Sequence, residues 1–529
     1  MFLGGGLVRG LALVLCLGLL LGLAGCGDGS RELRLDIPGG VTSLDPQFTT
    51  DPTGQLLLRN LMEGLLVRRE DGTLDHGVAE DYTVSPDGLT YTFTLREGAR
   101  WEDGEPVTAH DFVYAFTRMM NPQVTSPYAG DFLAIRGARA MVAGEADGSG
   151  LGVTARGDRQ LVFQLEEPAP LLLQQLASTG ALPCRQDFFE GTRARYGLDR
   201  GYFLSNGPFR LSRWENDKAI VLAANQQYWD KEQVLTPSVT CYIGRDNPKG
   251  RFLKGDADLY QLAYEDIQGL DQSRFTYRTR NNTTWSLTFR QTKAALGEVR
   301  VRQALVGAVD PAQAALRLPQ QYAPTQSPVP DSAILFQRPY RAQAGAVRPI
   351  GYLGDQAREP LRAWLLEQEL TTLSGLSLLL PQSANLSALG GYLQRVWQDH
   401  LLLYINLEIL PDDQYQRRLA TGEFDMALVA LPAVSDGPQG TLDAYRSTSP
   451  GNLAGVDSPQ YDLLLQQALA ATQPGEAASL YHRAEQLLLE EAVVLPLFNQ
   501  PTYFAMGKGV QGVELLPDGS YYLKYARRD

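Results

Sequence analysis

Apolar and polar residues alternate over Tyr91-Thr-Phe-Thr-Leu95, a period-two pattern that predicts a strand, and the turn residues Ser85-Pro-Asp-Gly88 introduce it. The period becomes helical at Phe112, Ala115, Phe116 and Met119. Thr108 and Asp111 open that helix as a capping-box-like pair, and Asn121-Pro122 stops it. In the second half the two periods interleave. Leu389, Leu393, Val396, Trp397 and Leu401 predict a helix; Ile405, Leu407 and Ile409 alternate as a strand; Gln414 to Thr421 reads as a polar helix and Met426 to Leu431 as an apolar strand. This is a β-α-β crossover in outline. Helices near Tyr461 to Ala471 and Glu476 to Glu491 lead to Val493-Val-Leu-Pro-Leu-Phe498, a buried-strand run. The stretch from Ala323 to Arg348, rich in Pro, Gln and Ala, has no clear period and is expected to be an ordered surface connection. Gly144 to Gly150 reads as a turn, and no repeat of solenoid length is present. The pattern predicts an α/β protein of several lobes with a ligand held between them.

Composition narrows the class. With 529 residues, 44% hydrophobic and 20% charged, the chain has ordinary globular proportions, which argues against disorder and against a polytopic membrane protein. Its formal charge of −13 has the wrong sign for neutralising phosphates, so nucleic acid is not an expected partner.

The first residues add a location. Arg9 precedes an apolar run from Leu11 to Ala24 that ends in Leu23-Ala-Gly-Cys26 and is followed at once by hydrophilic Gly27-Asp-Gly-Ser30. The run is short for a bilayer span, and the small residues before Cys26 suit a peptidase. This reads as a lipoprotein signal over residues 1–25, which implies cleavage before Cys26, lipid on that cysteine and an extracytoplasmic protein tethered to the cell membrane; an uncleaved anchor is the alternative. Cys16 leaves with the signal. Cys184 and Cys241 remain, either as a disulfide or as two buried thiols.

Catalytic chemistry has no visible carrier. His76, His110, His400 and His482 are scattered singly, and neither a nucleophile motif, a phosphate loop nor a zinc pattern occurs, so no enzyme activity, cofactor or metal is expected. Glu102-Asp103 and Asp412-Asp413 sit in polar turns or at a helix start, where acids stabilise the positive end of the helix dipole. The aromatics are the positive signal, because Tyr and Trp offer stacking area and a polar tip to a ligand cleft.

From residue 33 onward the chain resembles the solute-binding lipoproteins of peptide ABC importers, the oligopeptide- and dipeptide-binding family (bacterial extracellular solute-binding proteins, family 5). The resemblance is carried by Ser43-Leu-Asp-Pro46, Leu61-Met-Glu-Gly-Leu-Leu66, Gly77-Val-Ala-Glu80, Ser85 to Arg96, Trp101 to Tyr114, Ser126-Pro-Tyr128, Asn206-Gly-Pro-Phe209, Asn225 to Trp229, Val299 to Leu305, Gly422-Glu-Phe-Asp-Met426 and Ser458 to Asp462, in order. It implies a periplasmic-binding-protein-like clamshell of two lobes, type II, with an inserted domain. Lobe I would comprise 26–67, 183–280 and 495–529; the inserted domain 68–182; and lobe III 281–494, closing through two hinge crossings. It further implies a monomer that binds an extended peptide as an added strand and presents it to permease subunits.

In typical family members an Asp in the binding strand takes the peptide's amino terminus. Here that stretch is Ala430-Leu-Pro-Ala-Val-Ser435, with Val434 at the carboxylate position and Pro432 lacking a backbone donor. Asp436 or Asp412 would have to substitute, because a buried ammonium needs a countercharge. The expected contacts are therefore Tyr128 and Trp285 as cleft aromatics, the backbone of Ala430, Leu431, Ala433, Val434 and Ser435, and Asp412 or Asp436 as the acid. The leading expectation is peptide capture for an importer. The alternatives are a non-peptide solute such as a glycan fragment, or a ligand-sensing or chaperone-like envelope lipoprotein uncoupled from transport.

Overall fold

The computed structural model describes residues 32–37, 39–262, 271, 273–319, 322–432, 437–449, 451–471, 473–516 and 519–529. The signal segment with Cys26 lies outside the described residues.

One large mixed sheet runs through the molecule. Its strands lie side by side in the order Asn406–Leu410, Ser377–Pro381, Met426–Pro432, Phe275–Phe289, Val494–Gly507, Leu259–Leu262, Leu33–Ile37, Ser238–Ile243, Ala219–Ala224 and Phe209–Glu215. The two long central strands, Phe275–Phe289 and Val494–Gly507, pair antiparallel over nearly their whole length and are shared by both halves. Each half adds a parallel set. Leu33–Ile37 is parallel to Ser238–Ile243 and Leu259–Leu262, while Ser377–Pro381 is parallel to both Asn406–Leu410 and Met426–Pro432.

The predicted strand, helix and strand are present as Asn406–Leu410, Asp412–Thr421 and Met426–Pro432, but the two parallel strands flank Ser377–Pro381 instead of pairing with each other, and the helix Ala384–Leu401 makes a second crossover from Ser377–Pro381 to Asn406–Leu410. Leu378, Leu379 and Leu380 are fully buried, as expected of a parallel strand covered on both faces. The alternation of Ile405, Leu407 and Ile409 does not mark one buried face. Asn406–Leu410 is the sheet edge, so Ile405 is buried while Ile409 is 41% exposed.

A separate four-stranded antiparallel sheet, ordered Ala79–Val84, Thr90–Leu95, Gln160–Gln164, Val153–Arg156, contains the alternating strand read from the sequence. The helix Ala109–Met119 packs on it and buries Phe112, Ala115, Phe116 and Met119. Its capping box is formed as predicted, with Asp111 Oδ2 accepting from the Thr108 backbone N–H at 2.8 Å and from the Trp101 indole at 3.2 Å. Burial, only partly offset by these donors, pushes the Asp111 carboxyl up to about 6 from an ordinary 3.8. The folded chain therefore holds this proton more tightly than the unfolded chain, and stability falls as pH rises from about 4 to about 6, by on the order of 2–3 kcal/mol, then levels. In Asp111→Asn, whose amide oxygen still accepts, this part of the slope is expected to vanish from urea titrations run across that pH range.

Buried apolar residues form one large cluster from Leu33 to Leu259 that returns at Met506 to Ala526, and another from Leu287 to Phe498. The long strands pass between these two bodies. Where they cross, their register breaks between Arg280 and Thr283, opposite Pro501, which lacks an N–H to donate.

The connection from Ala323 to Arg348 differs from its expectation as a surface segment. Val329, Leu335 and Tyr340 are buried, and Ser327, Tyr340 and Arg341 all engage the buried carboxylate of Glu485, Arg341 at 2.8 Å. A carboxylate removed from water needs such partners, and this aperiodic segment supplies them.

Cys184 and Cys241 are buried free thiols, and burial raises both to about 12. In the soluble chain from Gly27, neither is expected to react with a thiol reagent at pH 8 until the protein is unfolded, when two equivalents should react.

Candidate functional site

Between the two bodies lies a cleft of 1710 Å³. One wall comes from the helix Pro52–Leu61, the segment around Tyr128 and the stretch from Leu171 to Thr179. The other comes from Tyr322, Phe336 and the turns between Gly437 and Gly451. Gln500, Pro501 and Thr502 of the long strand contribute where the chain crosses between the bodies.

Tyr128 is placed by backbone chemistry. Ser126 Oγ donates to the Gln47 carbonyl at 2.6 Å and accepts from the Tyr128 N–H at 3.2 Å, which accounts for the Ser-Pro-Tyr block. The Tyr128 hydroxyl donates to the Thr49 carbonyl at 2.5 Å and accepts from Gln55 at 3.1 Å. Gly180 lies against the ring, so close that a Cβ there would stand 2.5–2.8 Å from three ring carbons. Four chain segments thus fix one aromatic face in the cleft wall.

Trp285 does not line the cleft directly. Its indole donates to Gln500 Oε1 at 2.6 Å, and its ring stacks on Phe498, which in turn stacks on the cleft-lining Tyr322 at 5.3 Å. Trp285→Ala is expected to weaken solute binding by less than tenfold, because it acts through Gln500 and Tyr322; titration calorimetry measures this.

Ala430 and Leu431, expected as backbone contacts, belong to Met426–Pro432, pair with Trp285 and Thr284, and are not part of the cleft lining. On its other side this strand meets Ser377–Pro381 only through Met426 and Ala427, which leaves the edge beyond Ala427 without a strand partner among the described residues. Ala433, Val434, Ser435 and Asp436 lie outside the described residues. Asp412 is exposed in the first turn of the helix Asp412–Thr421 and is not part of the cleft lining.

The acids that do line the cleft were not singled out in the sequence. Asp36 is held by Arg251 at 3.0 Å. Asp131, in the short helical turn Ala129–Phe132, is an exposed side chain on the cleft wall. Desolvation, and then the Asp443 carboxylate, push it up to about 6. Asp443 lines the opposite wall and is also raised by burial, although Arg446 partly restores it through contacts of 2.9 and 3.3 Å to Oδ1. The available signals were Asp131, three residues beyond Tyr128, and the Asp443/Arg446 pair at helical i, i+3 spacing.

No group of three or more His, Cys, Asp or Glu able to hold a metal occurs among the described residues, and no helix among them is long and apolar enough to cross a membrane.

Two bodies joined by paired crossings, with a large mixed-polarity cleft between them, define a bilobal solute-binding protein. Residues 73–452 match the profile of the bacterial extracellular solute-binding proteins, family 5 Middle, and the chain belongs to this family. Its relatives include the oligopeptide-binding protein OppA of Bacillus subtilis, 26% identical over 516 residues, covering 94% of this chain and 93% of that protein. The probable deoxycholate-binding periplasmic protein YgiS of Escherichia coli is 27% identical, with 87% and 86% covered. Among solved structures, the pheromone receptor PrgZ superposes with a TM-score of 0.74 at 26% identity over 94% of this chain and all of that one. Haemophilus influenzae OppA in complex with RPPGFSPFR gives 0.74 at 24% identity, covering 95% of this chain and 99% of that one, a likeness of fold.

Proposed function

We propose that this chain captures peptides outside the cytoplasm and delivers them to the permease of an ABC importer, as a monomer held to the membrane by lipid on Cys26. The observation that carries this reading is the 1710 Å³ cleft, far larger than one small metabolite requires. An extended peptide in this cleft would be held by main-chain hydrogen bonds, which are indifferent to side chains, while the remaining volume accommodates the side chains. Relatives named for oligopeptides support the ligand class.

The domain division follows the same reading. Lobe I would comprise 26–67, 183–280 and 501–529, the inserted domain 68–182, and lobe III 281–500, the expected boundary at 495 moving to the hinge at Pro501 because Leu495, Leu497 and Phe498 pack in the second core. No catalytic step is assigned.

In the source cell, deletion of the gene is expected to abolish uptake of a labelled peptide pool, with wild-type chain restoring it and Cys26→Ser releasing the protein from membranes. Undiminished uptake by the deletion strain would remove the transport role. The YgiS relative favours one second reading, a non-peptide amphiphile in the same cleft, because a family fold at similar identity carries that name.

A further inference from the structure

We propose that the hairpin of Ile334–Leu335 and Arg338–Pro339 is a latch that holds the two bodies together along one rim of the cleft before any solute is bound. The latch acts on the movement of the bodies and works in the same way whichever solute the cleft takes.

Gly72 stands in the turn that joins Leu66–Arg68 to Leu74–His76, a place ordinarily open to water, yet it is buried. Ile334 of the opposite body lies over it. A Cβ on Gly72 would stand 2.9 Å from the Ile334 Cγ1, 3.4 Å from its Cγ2 and 3.5 Å from its Cβ. Glycine is needed here twice over, because a side chain would push Ile334 away and because the backbone φ of 80° is left-handed.

A second contact crosses the rim in the other direction. Leu172 packs in the core of its own body with Phe132 and Leu176. Its neighbour Leu171, only 8% exposed, belongs instead to the apolar cluster of Val329, Ala333, Leu335 and Tyr340, the residues that flank and carry the hairpin. Two successive leucines thus enter the cores of two different bodies.

The hairpin itself is strained. Its tip residues Phe336 and Gln337 have φ of 49° and 60°. Positive φ at both central residues is the condition of a type I′ turn, which Asn-Gly meets easily and Phe-Gln does not. Such a conformation persists only where its surroundings enforce it, and it marks sites where shape is used. Here the Gln343 amide donates to the Leu335 and Arg338 carbonyls at 2.7 and 3.2 Å, the Tyr340 N–H donates to the Ala333 carbonyl at 2.8 Å, and Arg341 ties the next turn to the buried Glu485 at 2.8 Å. The hairpin is therefore a rigid projection of its own body, held in the shape that sets Ile334 on Gly72 and Phe336 in the cleft wall.

Apolar contacts made between the bodies exist only when the bodies are together, so they favour that arrangement without help from a solute. Opening has to return Leu171 and Ile334 to water. A solute that reaches Phe336 touches the same hairpin that holds the rim.

The test uses the soluble chain from Gly27, shown empty by native mass spectrometry and spin-labelled through Glu145→Cys and Glu476→Cys, exposed positions on the two bodies. The buried Cys184 and Cys241 take no label. Double electron–electron resonance then reads the distance between the bodies. The parent protein is expected to show one short distance. Leu171→Ser and Ile334→Ser should each raise the ratio of open to closed molecules about tenfold or more, the effect of taking one aliphatic side chain out of a buried contact. Leu316→Ser, at a leucine that is 71% exposed and outside the cleft lining, should leave the distance unchanged. Ile334 is only half-buried on a surface hairpin, so its variant keeps the test decisive even where Leu171→Ser fails to fold. An empty parent protein that is already open, or latch variants that keep its short distance, overturns the proposal. No solute is added, so failure of the peptide reading leaves this result standing.

Discussion

Replacing Glu63 by Ala is expected to destabilise the protein by about 3–5 kcal/mol, the range for removing one member of a buried hydrogen-bonded charge network. Glu63 is 3% exposed and accepts from the Tyr228 hydroxyl and, at 2.6 Å, from the Trp229 indole. Its backbone N–H and carbonyl are clamped by the Asn206 amide at 3.1 and 2.8 Å. Gly207 packs so tightly on the chain at Leu61 and Met62 that a Cβ would come within 2.7 Å of the Met62 nitrogen. Alanine at position 63 leaves a phenol and an indole N–H unsatisfied beside a new void, and both effects act in the same direction. Burial also holds the Glu63 carboxyl above its ordinary value despite those donors, so the neutral Glu63→Gln should lose distinctly less, as measured by urea denaturation of the two variants side by side. Equal losses in both would show that the charge, rather than the shape, of residue 63 is what the network needs.

The second large effect concerns the cleft. Tyr128→Ala should weaken solute binding by about 30-fold or more, as expected for an aromatic anchor whose loss costs at least about 2 kcal/mol. The ring is a wall of the site, and its hydroxyl ties together Thr49 and Gln55. Tyr128→Phe keeps the face and removes the ties, so its effect should fall well short of the alanine variant. Gly180→Ala acts on the same ring from behind. A methyl placed 2.5–2.8 Å from the ring carbons must push the ring into the cleft, so affinity should fall while the unliganded protein stays folded. Calorimetric titration of the three variants with the peptide pool orders them: Ala at 128 worst, Phe at 128 mildest.

Much of the fold was legible because local and tertiary demands agreed. Thr108 and Asp111, the stripe of Phe112 to Met119 and the strand Met426 to Leu431 each sit where pattern and burial coincide. Several sequence blocks that carry the family resemblance prove to be structural joints: Leu61 to Leu66, Asn206 to Phe209 and Asn225 to Trp229 converge on Glu63. The aperiodic stretch 323–348 was opaque because its burial depends on Glu485, a residue distant in sequence whose need for partners no local window reveals.

The candidate site was legible only at Tyr128. Asp131 and Asp443 come from short helical turns without periodicity, and their shared position exists only once two bodies face each other across the cleft. Asp412 was attractive as an acid near the binding strand, yet a carboxylate in the first turn of a helix is accounted for by the helix dipole, and it sits exposed there.

Native mass spectrometry of the soluble chain from Gly27, purified from a rich extract and then fragmented to identify what remains bound, tests the central claim most directly. A ladder of peptide masses at one equivalent per chain, released when Tyr128 is replaced by Ala, is the predicted result. A single non-peptide mass, or a protein that stays empty when offered peptide libraries, would contradict it.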